Sequence, residues 1–335
     1  MTKFSSSRLK ELFDRFKEQR IAVVGDLMLD SYMWGSVQRI SPEAPVPVVE
    51  VTSETVKLGG AANVANNILN LGAQVLPLGV VGDDSSGAQI RTLFSALNVD
   101  IQGVLTDSGR PTSVKTRIIA HDQHVVRADV ESKEDLPRPI EERLLGFFRD
   151  RIENIDGVIL QDYNKGVLTA RLIKNIVALC RDHKIFVAVD PKFNNFFSFN
   201  GVDLFKPNTR ETEQALGVQI RSNEDLFQAA QAVFKRIGCR YIVITRGEKG
   251  MTLFPGPGDT PLHVPTRAKK IHDVSGAGDT VAATLAVAEL SGATLTEAAT
   301  LANYAAGIVC GEVGVVPIDR DRLLEELQDD CLAEE

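Results

Sequence analysis

Short runs rich in valine and isoleucine recur along the chain: "RIAVVGD", "QVLPLGVVG", "GVILQDY", "KIFVAVDPK" and "CRYIVITRG". Each is apolar almost throughout rather than alternating, the pattern of a strand covered on both faces, as in a parallel sheet. Between them, "AANVANNILNLG", "SGAQIRTLFSALN", "TARLIKNIVALCRDH" and "SNEDLFQAAQAVFKRIG" carry helical spacing, and three of the four end in a glycine or asparagine suited to a C-terminal cap. Strand and helix alternate, which predicts an α/β fold with a doubly wound, mostly parallel sheet flanked by helices. The strand ends run into polar loops, where open α/β sheets place their ligands.

Two stretches break the alternation. "SYMWGSVQRISPEAPVPVVEV" (31–51) and "TSVKTRIIAHDQHVVRADV" (112–130) are β-rich, and neither is followed by a helical crossover. They predict a small accessory sheet inserted into the main fold. Prolines at 42, 45 and 47 confine that part of it to an edge or a loop, since proline cannot donate to a strand ladder. Near the start, Leu9, Leu12, Phe13 and Phe16 fall on one face of an amphipathic helix. With no repeat, low-complexity tract or linker, the chain reads as a single domain over residues 1–335.

Composition changes this picture little. A chain of 335 residues that is 44% hydrophobic and 24% charged belongs among soluble globular proteins. The formal charge of -8 gives no general attraction to nucleic acid or anionic membrane. No apolar run approaches the roughly 18 to 20 residues that cross a bilayer. Cys180, Cys239, Cys310 and Cys331 lack the paired spacing of a zinc or redox site and read as reduced thiols. The expectation is a cytoplasmic protein.

The chemistry is concentrated in "DVSGAGDTVAATLAVAEL", Asp273 to Leu290. Gly276 and Gly278 let backbone N–H groups converge at a helix start, an anion site by construction. Asp279 beside it reads equally as a general base aimed at an attacking hydroxyl and as an ordinary helix cap. "KPNTRETE" places Asn208 and Glu211 three apart across a helix start, where they either hold water around a magnesium ion or form a capping box. "TRGEKG", Thr245 to Gly250, is a nucleotide-approaching loop or a plain tight turn. Asp26 and Asp30 end the first strand, and Gly59, Gly60 and Asn63 form a small-residue turn; the group either hydrogen-bonds a sugar or caps two elements. Among the basic residues Lys115, Arg117, Arg127, Lys165 and Lys192, some subset could clamp a phosphate.

The combination resembles the ribokinase-like (PfkB) family of carbohydrate kinases. "GGAANVA" is similar to the family's glycine-asparagine signature, "NTRE" to its nucleotide-site Asn-x-x-Glu, and Asp273 to Asp279 to its D-x-x-G-A-G-D, in the same order along the chain. "RISPEAPVPVV" and "PGPGDTPLHVPTRAKKIHDVSGAGDTV" resemble the branch acting on D-glycero-β-D-manno-heptose 7-phosphate. The resemblance implies transfer of the ATP γ-phosphate to an anomeric hydroxyl, giving the 1,7-bisphosphate used in ADP-heptose and lipopolysaccharide inner-core synthesis. Relatives in that branch often carry an adenylyltransferase domain, and the end of the chain after "VPIDRDRLLEEL" implies a kinase alone.

By position, the resemblance makes Asp279 the catalytic base and the amides of Gly276, Ala277 and Gly278 the anion hole. Asn208 and Glu211 would organise Mg2+ through water. Thr209, Arg210, Thr245, Gly247, Glu248, Gly250 and Asn303 would meet ATP, while Asp30, Gly60, Asn63 and Asp162 would bind the sugar. Lys115, Arg117, Lys165 and Lys192 are the first choices for its phosphate. The accessory sheet becomes a lid that clasps a second subunit in a homodimer. Two alternatives remain: a kinase of another sugar, and a non-catalytic sugar-binding regulator on the same fold.

Overall fold

The computed structural model describes residues 4–121, 123–268 and 272–332, with side chains as far as Asp329. Asp122, Lys269 to Ile271 and the side chain of Cys331 therefore lie outside the described residues.

Helix α1 (Ser6–Phe16) buries the four apolar residues its pattern predicts, and β1 (Arg20–Gly25) follows directly. Strands β2 (Leu27–Ile40) and β3 (Pro47–Gly60) leave the main sheet as a long hairpin before α2 (Ala61–Asn70) and β4 (Gln74–Val81) return to it. Next come α3 (Ser85–Ala96), β5 (Val104–Thr106), a second hairpin of β6 (Ser113–Ala120) and β7 (Gln123–Val130), and α4 (Arg138–Arg151). Then follow β8 (Gly157–Gln161), α5 (Ala170–His183), β9 (Phe186–Asp190), β10 (Leu204–Phe205), α6 (Thr209–Leu216), α7 (Asn223–Ile237) and β11 (Tyr241–Thr245). The chain closes with β12 (Met251–Phe254), β13 (Leu262–Val264), α8 (Ala277–Leu290), α9 (Leu295–Cys310) and α10 (Arg320–Leu332).

The main sheet has the order β13-β12-β11-β10-β9-β8-β1-β4-β5, and only β12 and β13 run antiparallel to their neighbours. Its two-sided burial explains the unbroken apolar runs. In β1, Ile21 and Val23 join the core beneath α2, α8 and α9, while Ala22 and Val24 join the one beneath α4, α5 and α7. Val158, Ile159 and Leu160 of β8 divide between the same two cores. Helix α8 is buried along most of its length, and its alanines let α2 and α9 approach closely. That is why its sequence shows no polar face.

The second sheet has the order β3-β2-β6-β7. It is the accessory sheet expected from the two β-rich stretches, and Pro47 opens an edge strand, as its missing donor requires. The first insertion is longer than the 31–51 expected: its strands span 27–60 and run straight into α2. The first main-sheet strand consequently ends at Gly25, not at Asp30. Gly25 is pressed against β8, where an added Cβ would meet the Gln161 carbonyl oxygen at 2.0 Å. Asp26 occupies the junction, and Asp30 belongs to the second sheet.

Candidate active site

The C-terminal ends of β8, β9 and β10 stand side by side and deliver Gln161, Asp190 and, just beyond β10, Lys206 to one place. The N-terminus of α8 meets them there. Gly276 turns the chain with φ of 81°, and a Cβ on it would come within 2.9 Å of Asn63 Nδ2. Glycine is required twice, for the left-handed backbone and for the close approach.

Asp279 is 3% exposed, and its carboxylate accepts three side-chain hydrogen bonds. Asn63 Nδ2 donates to Oδ2 at 2.9 Å; Tyr163 OH and Gln161 Nε2 donate to Oδ1 at 2.6 and 3.1 Å. Burial pushes this carboxyl up to about 7, against the Asn63 and Tyr163 hydrogen bonds that favour the ion; Asp190 adds to the rise and Lys206 opposes it. Asp279 does not cap α8 with its side chain, so the capping alternative left by the sequence falls away.

Charge alternates around this carboxylate. Asp190 Oδ2 pairs with Lys206 Nζ at 3.0 Å and also accepts from Gln161 Nε2 at 3.0 Å. Lys192 Nζ pairs with Glu211 Oε1 and lies 5.3 Å from the centre of the Tyr163 ring. Burial alone would lower the Lys192 ammonium, but the carboxylates of Asp190 and Glu211 hold it above its ordinary value. The sequence reading grouped Lys192 with the phosphate-binding lysines of the sugar side. At the end of β9 it stands beside Glu211.

At the turn, the Ala277 N–H donates to the Val274 carbonyl at 3.2 Å and is already committed. The amides of Gly276 and Gly278 have no such acceptor among the described residues. A Cβ on Gly278 would find nothing nearer than Lys206 Nζ at 3.9 Å and Asp190 Oδ2 at 4.0 Å, so the space in front of it is open and flanked by charge.

Ala277 and Gly278 line one end of a cleft of about 690 Å³, a size suited to a nucleotide. Asn208, Thr209, Arg210, Thr245, Gly247, Glu248, Gly250 and Asn303 line it as well, so scattered candidates of the sequence converge. Arg246 and Lys249 of "TRGEKG", and Arg221, which no motif marked, add positive charge to its wall. Asn303 commits its amide to the Pro265 carbonyl at 2.7 Å and so braces the wall. Asn208 and Glu211 form a reciprocal capping box at 2.8 Å in both directions. The capping alternative is thus realised, yet each side-chain oxygen of the pair has a single partner and keeps a lone pair for a metal-bound water, and oxygen-only donors suit magnesium. Among the described residues no three His, Cys, Asp or Glu side chains are placed to grip a metal directly.

The sugar-side candidates are divided. Asp30 pairs with Arg117 across β2 and β6. Gly60 starts α2 with φ of 56°, where a Cβ would strike Met28 Cε at 2.5 Å and Asp26 O at 2.6 Å. Lys165 Nζ is 2.6 Å and Lys115 Nζ 3.7 Å from Glu131 Oε2, which brings these two lysines together at the inner end of the second sheet. Asp162 accepts from the Asn164 N–H at 2.8 Å and Asn195 Nδ2 at 3.3 Å, a loop-holding position. Burial, and then the Asp26 carboxylate, pushes Asp162 up to about 6. Asp26 fixes the same loop by accepting from the N–H groups of Tyr163 at 2.7 Å, Lys165 at 3.1 Å and Val167 at 3.2 Å.

Gln161, Tyr163 and Asp190 carried no motif in the sequence, and Lys206 opens "KPNTRETE" without a role of its own there. The signal available was their position: each stands at or just past the polar end of an apolar run.

A buried carboxylate at a helix start, opening onto a nucleotide-sized cleft at the strand ends, is the equipment of a phosphotransferase. The sequence pattern of the pfkB family of carbohydrate kinases matches residues 18–320, and the chain belongs to that family, whose members phosphorylate a sugar hydroxyl. The bifunctional protein HldE of Geobacter metallireducens is 44% identical over 306 residues, covering 91% of this chain and 62% of that protein. HldE of Helicobacter pylori strain P12 is 44% identical over 88% of this chain and 64% of its own length. The chain thus spans less than two thirds of the length of these relatives. Among solved structures, Arabidopsis thaliana ribokinase with ribose and ATP superimposes with a TM-score of 0.72 at 20% identity, covering 92% of this chain and 98% of that one. Escherichia coli phosphofructokinase-2 with fructose-6-phosphate gives 0.74 at 16% identity, covering 92% and 99%. At such identities these two establish the ribokinase-like fold.

Proposed function

We propose that the protein transfers the γ-phosphate of ATP to the anomeric hydroxyl of D-glycero-β-D-manno-heptose 7-phosphate, forming the 1,7-bisphosphate for ADP-heptose and lipopolysaccharide inner-core synthesis. The observation that carries the reading is the position of Asp279, with the nucleotide cleft beginning at Ala277 and Gly278 on one side and Asn63 of the α2 turn on the other. The HldE relatives and the "RISPEAPVPVV" stretch support the acceptor.

In this reading Asp279 takes the proton of the acceptor hydroxyl while the Gly276 and Gly278 amides, with the Lys206 and Lys192 ammonium groups, receive the transferring phosphoryl group. Asn208 and Glu211 would hold magnesium through water, and the bound ion would supply charge neutralisation at the nucleotide phosphates. Asp30, Gly60 and Asn63 orient the sugar. Lys115, Lys165 and Arg117 supply positive charge for its 7-phosphate once their carboxylate partners yield.

The second sheet serves as the lid of a single kinase domain in the cytoplasm. Val51, Val126 and Val130 on it are each more than half exposed, and burying them against a second copy in a homodimer removes that apolar surface from water. Among the described residues no helix is long and apolar enough to cross a membrane.

The test is an acceptor panel with MgATP: heptose 7-phosphate, fructose 6-phosphate and ribose. The reading requires the heptose phosphate to give the highest kcat/KM, and a preference for either of the others would redirect the acceptor assignment.

A further inference from the structure

The reacting carboxylate has two oxygens, and their surroundings differ. Oδ1 of Asp279 receives two donors, Tyr163 OH at 2.6 Å and Gln161 Nε2 at 3.1 Å. Oδ2 receives one, Asn63 Nδ2 at 2.9 Å. Each carboxylate oxygen offers two lone pairs, so Oδ1 is filled and Oδ2 has one left. The orientation of the Gln161 amide follows from chemistry: the group lies between the carboxylates of Asp279 and Asp190, and only its NH2 face suits that place. Tyr163 is equally constrained. Burial, and then the carboxylates of Asp279 and Asp190, raise its phenol well above the ordinary value, so it stays a neutral donor in either state of Asp279.

We infer that Tyr163 is a positioning residue of the phosphoryl transfer: with Gln161 it saturates Oδ1 of Asp279, and so leaves Oδ2, on the Asn63 side, as the atom that takes the acceptor's proton. The inference rests on the base role proposed for Asp279. As the acceptor O–H bond breaks, its proton bonds to Oδ2. The oxygen's electron pair forms the new bond to the γ-phosphorus, and the bond to the ADP oxygen breaks. Oδ1 then becomes the carbonyl oxygen of a carboxylic acid and keeps both donors, so no hydrogen bond has to be remade. Protonation at Oδ1 would set the new hydrogen against the two already pointing there.

The structure holds Tyr163 firmly in this place. Its N–H donates to buried Asp26 at 2.7 Å, and the Lys192 ammonium lies over its ring. The charged and titratable groups around Asp279 and Tyr163 are Asp26 after β1, Asp190 and Lys192 at and after the end of β9, Lys206 after β10, and Asp30 on β2. All of them remain when the phenol oxygen alone is removed, so Tyr163→Phe isolates one hydrogen bond.

The test follows the Asp279 carboxyl by carbon-13 NMR in protein labelled at aspartate Cγ, its signal identified by its loss in Asp279→Asn. Removing a donor to the charged form raises a carboxyl's pKa, by about one pH unit for one hydrogen bond to an ion. In Tyr163→Phe the titration should therefore move up by about that amount, and the acid limb of kcat should move with it while KM for ATP stays put. A 3-fluorotyrosine placed at 163, a stronger donor, should move both downward, and it serves as the decisive variant if the phenylalanine protein does not fold. An unshifted Asp279 titration would overturn the inference. Full turnover by Asp279→Asn would instead remove the base reading, whatever the titration shows.

Discussion

Asn63 and Asp279 stand 216 positions apart, and the side-chain amide of one donates to the carboxylate of the other at 2.9 Å inside the protein. This hydrogen bond joins the α2 turn to the α8 turn. Asn63→Asp would place a second carboxylate against the first, and like charges in a buried site raise the pKa of one of them strongly. The expected outcome is a loss of at least about tenfold in kcat near neutral pH, recovered in part at higher pH. Steady-state rates across a pH series check it, and an unchanged profile counts against the Asn63 contact.

Turnover itself should rise with pH through about 7, where the Asp279 carboxyl ionises. Stability should move the other way. Folding raises this carboxyl above its unfolded value of about 4, so the folded state favours the protonated form. The stabilisation is complete below about pH 4 and is lost as pH rises through 7. Asp279→Asn removes that dependence, and urea unfolding of both proteins at about pH 5 and pH 8 should show a smaller drop for the variant.

The two glycines of the turn should fail differently. Gly276→Ala meets a left-handed backbone and Asn63 Nδ2 at 2.9 Å, and should cost about 1–3 kcal/mol of stability. Gly278→Ala meets no protein atom closer than 3.9 Å. It should leave the melting temperature nearly unchanged while its methyl group occupies the phosphoryl space and lowers kcat by about a hundredfold. Calorimetry beside kinetics separates the two outcomes, and equal melting temperatures would contradict the geometry.

The lid proposal makes its own prediction. Val126 is 52% exposed on β7, and Val126→Asp would place a charge in the surface that the proposed homodimer would bury. Sedimentation should report a dimer for the unmodified protein and a monomer for the variant, and a monomer for both would contradict the proposal.

The main strands were legible in the sequence because both of their faces are buried, which writes an unbroken apolar run such as "RIAVVG" or "GVIL". The cleft-lining residues were legible because each helix-start or turn motif is local. Asp30 was assigned to the wrong element: β1 and β2 are separated by Asp26 alone, and the burial of Leu27, Met28 and Leu29 continues the apolar signal past the break. Gln161, Tyr163, Asp190 and Lys206 were not legible, because they become neighbours only through the lateral order β10-β9-β8, which no local pattern prints. The contact between Lys192 and Glu211 was not legible for a related reason: charge marks a residue as basic, but the strand end it follows decides its neighbour.

The most direct measurement follows phosphorus-31 NMR of MgATP with D-glycero-D-manno-heptose 7-phosphate, both anomers supplied, for the unmodified protein and for Asp279→Asn, with nucleotide and sugar binding measured alongside. The account predicts a 1,7-bisphosphate from the β anomer with the unmodified protein, and undiminished binding with turnover reduced by several orders of magnitude in the variant. No transfer to the heptose phosphate, or an equal rate in Asp279→Asn, would contradict it.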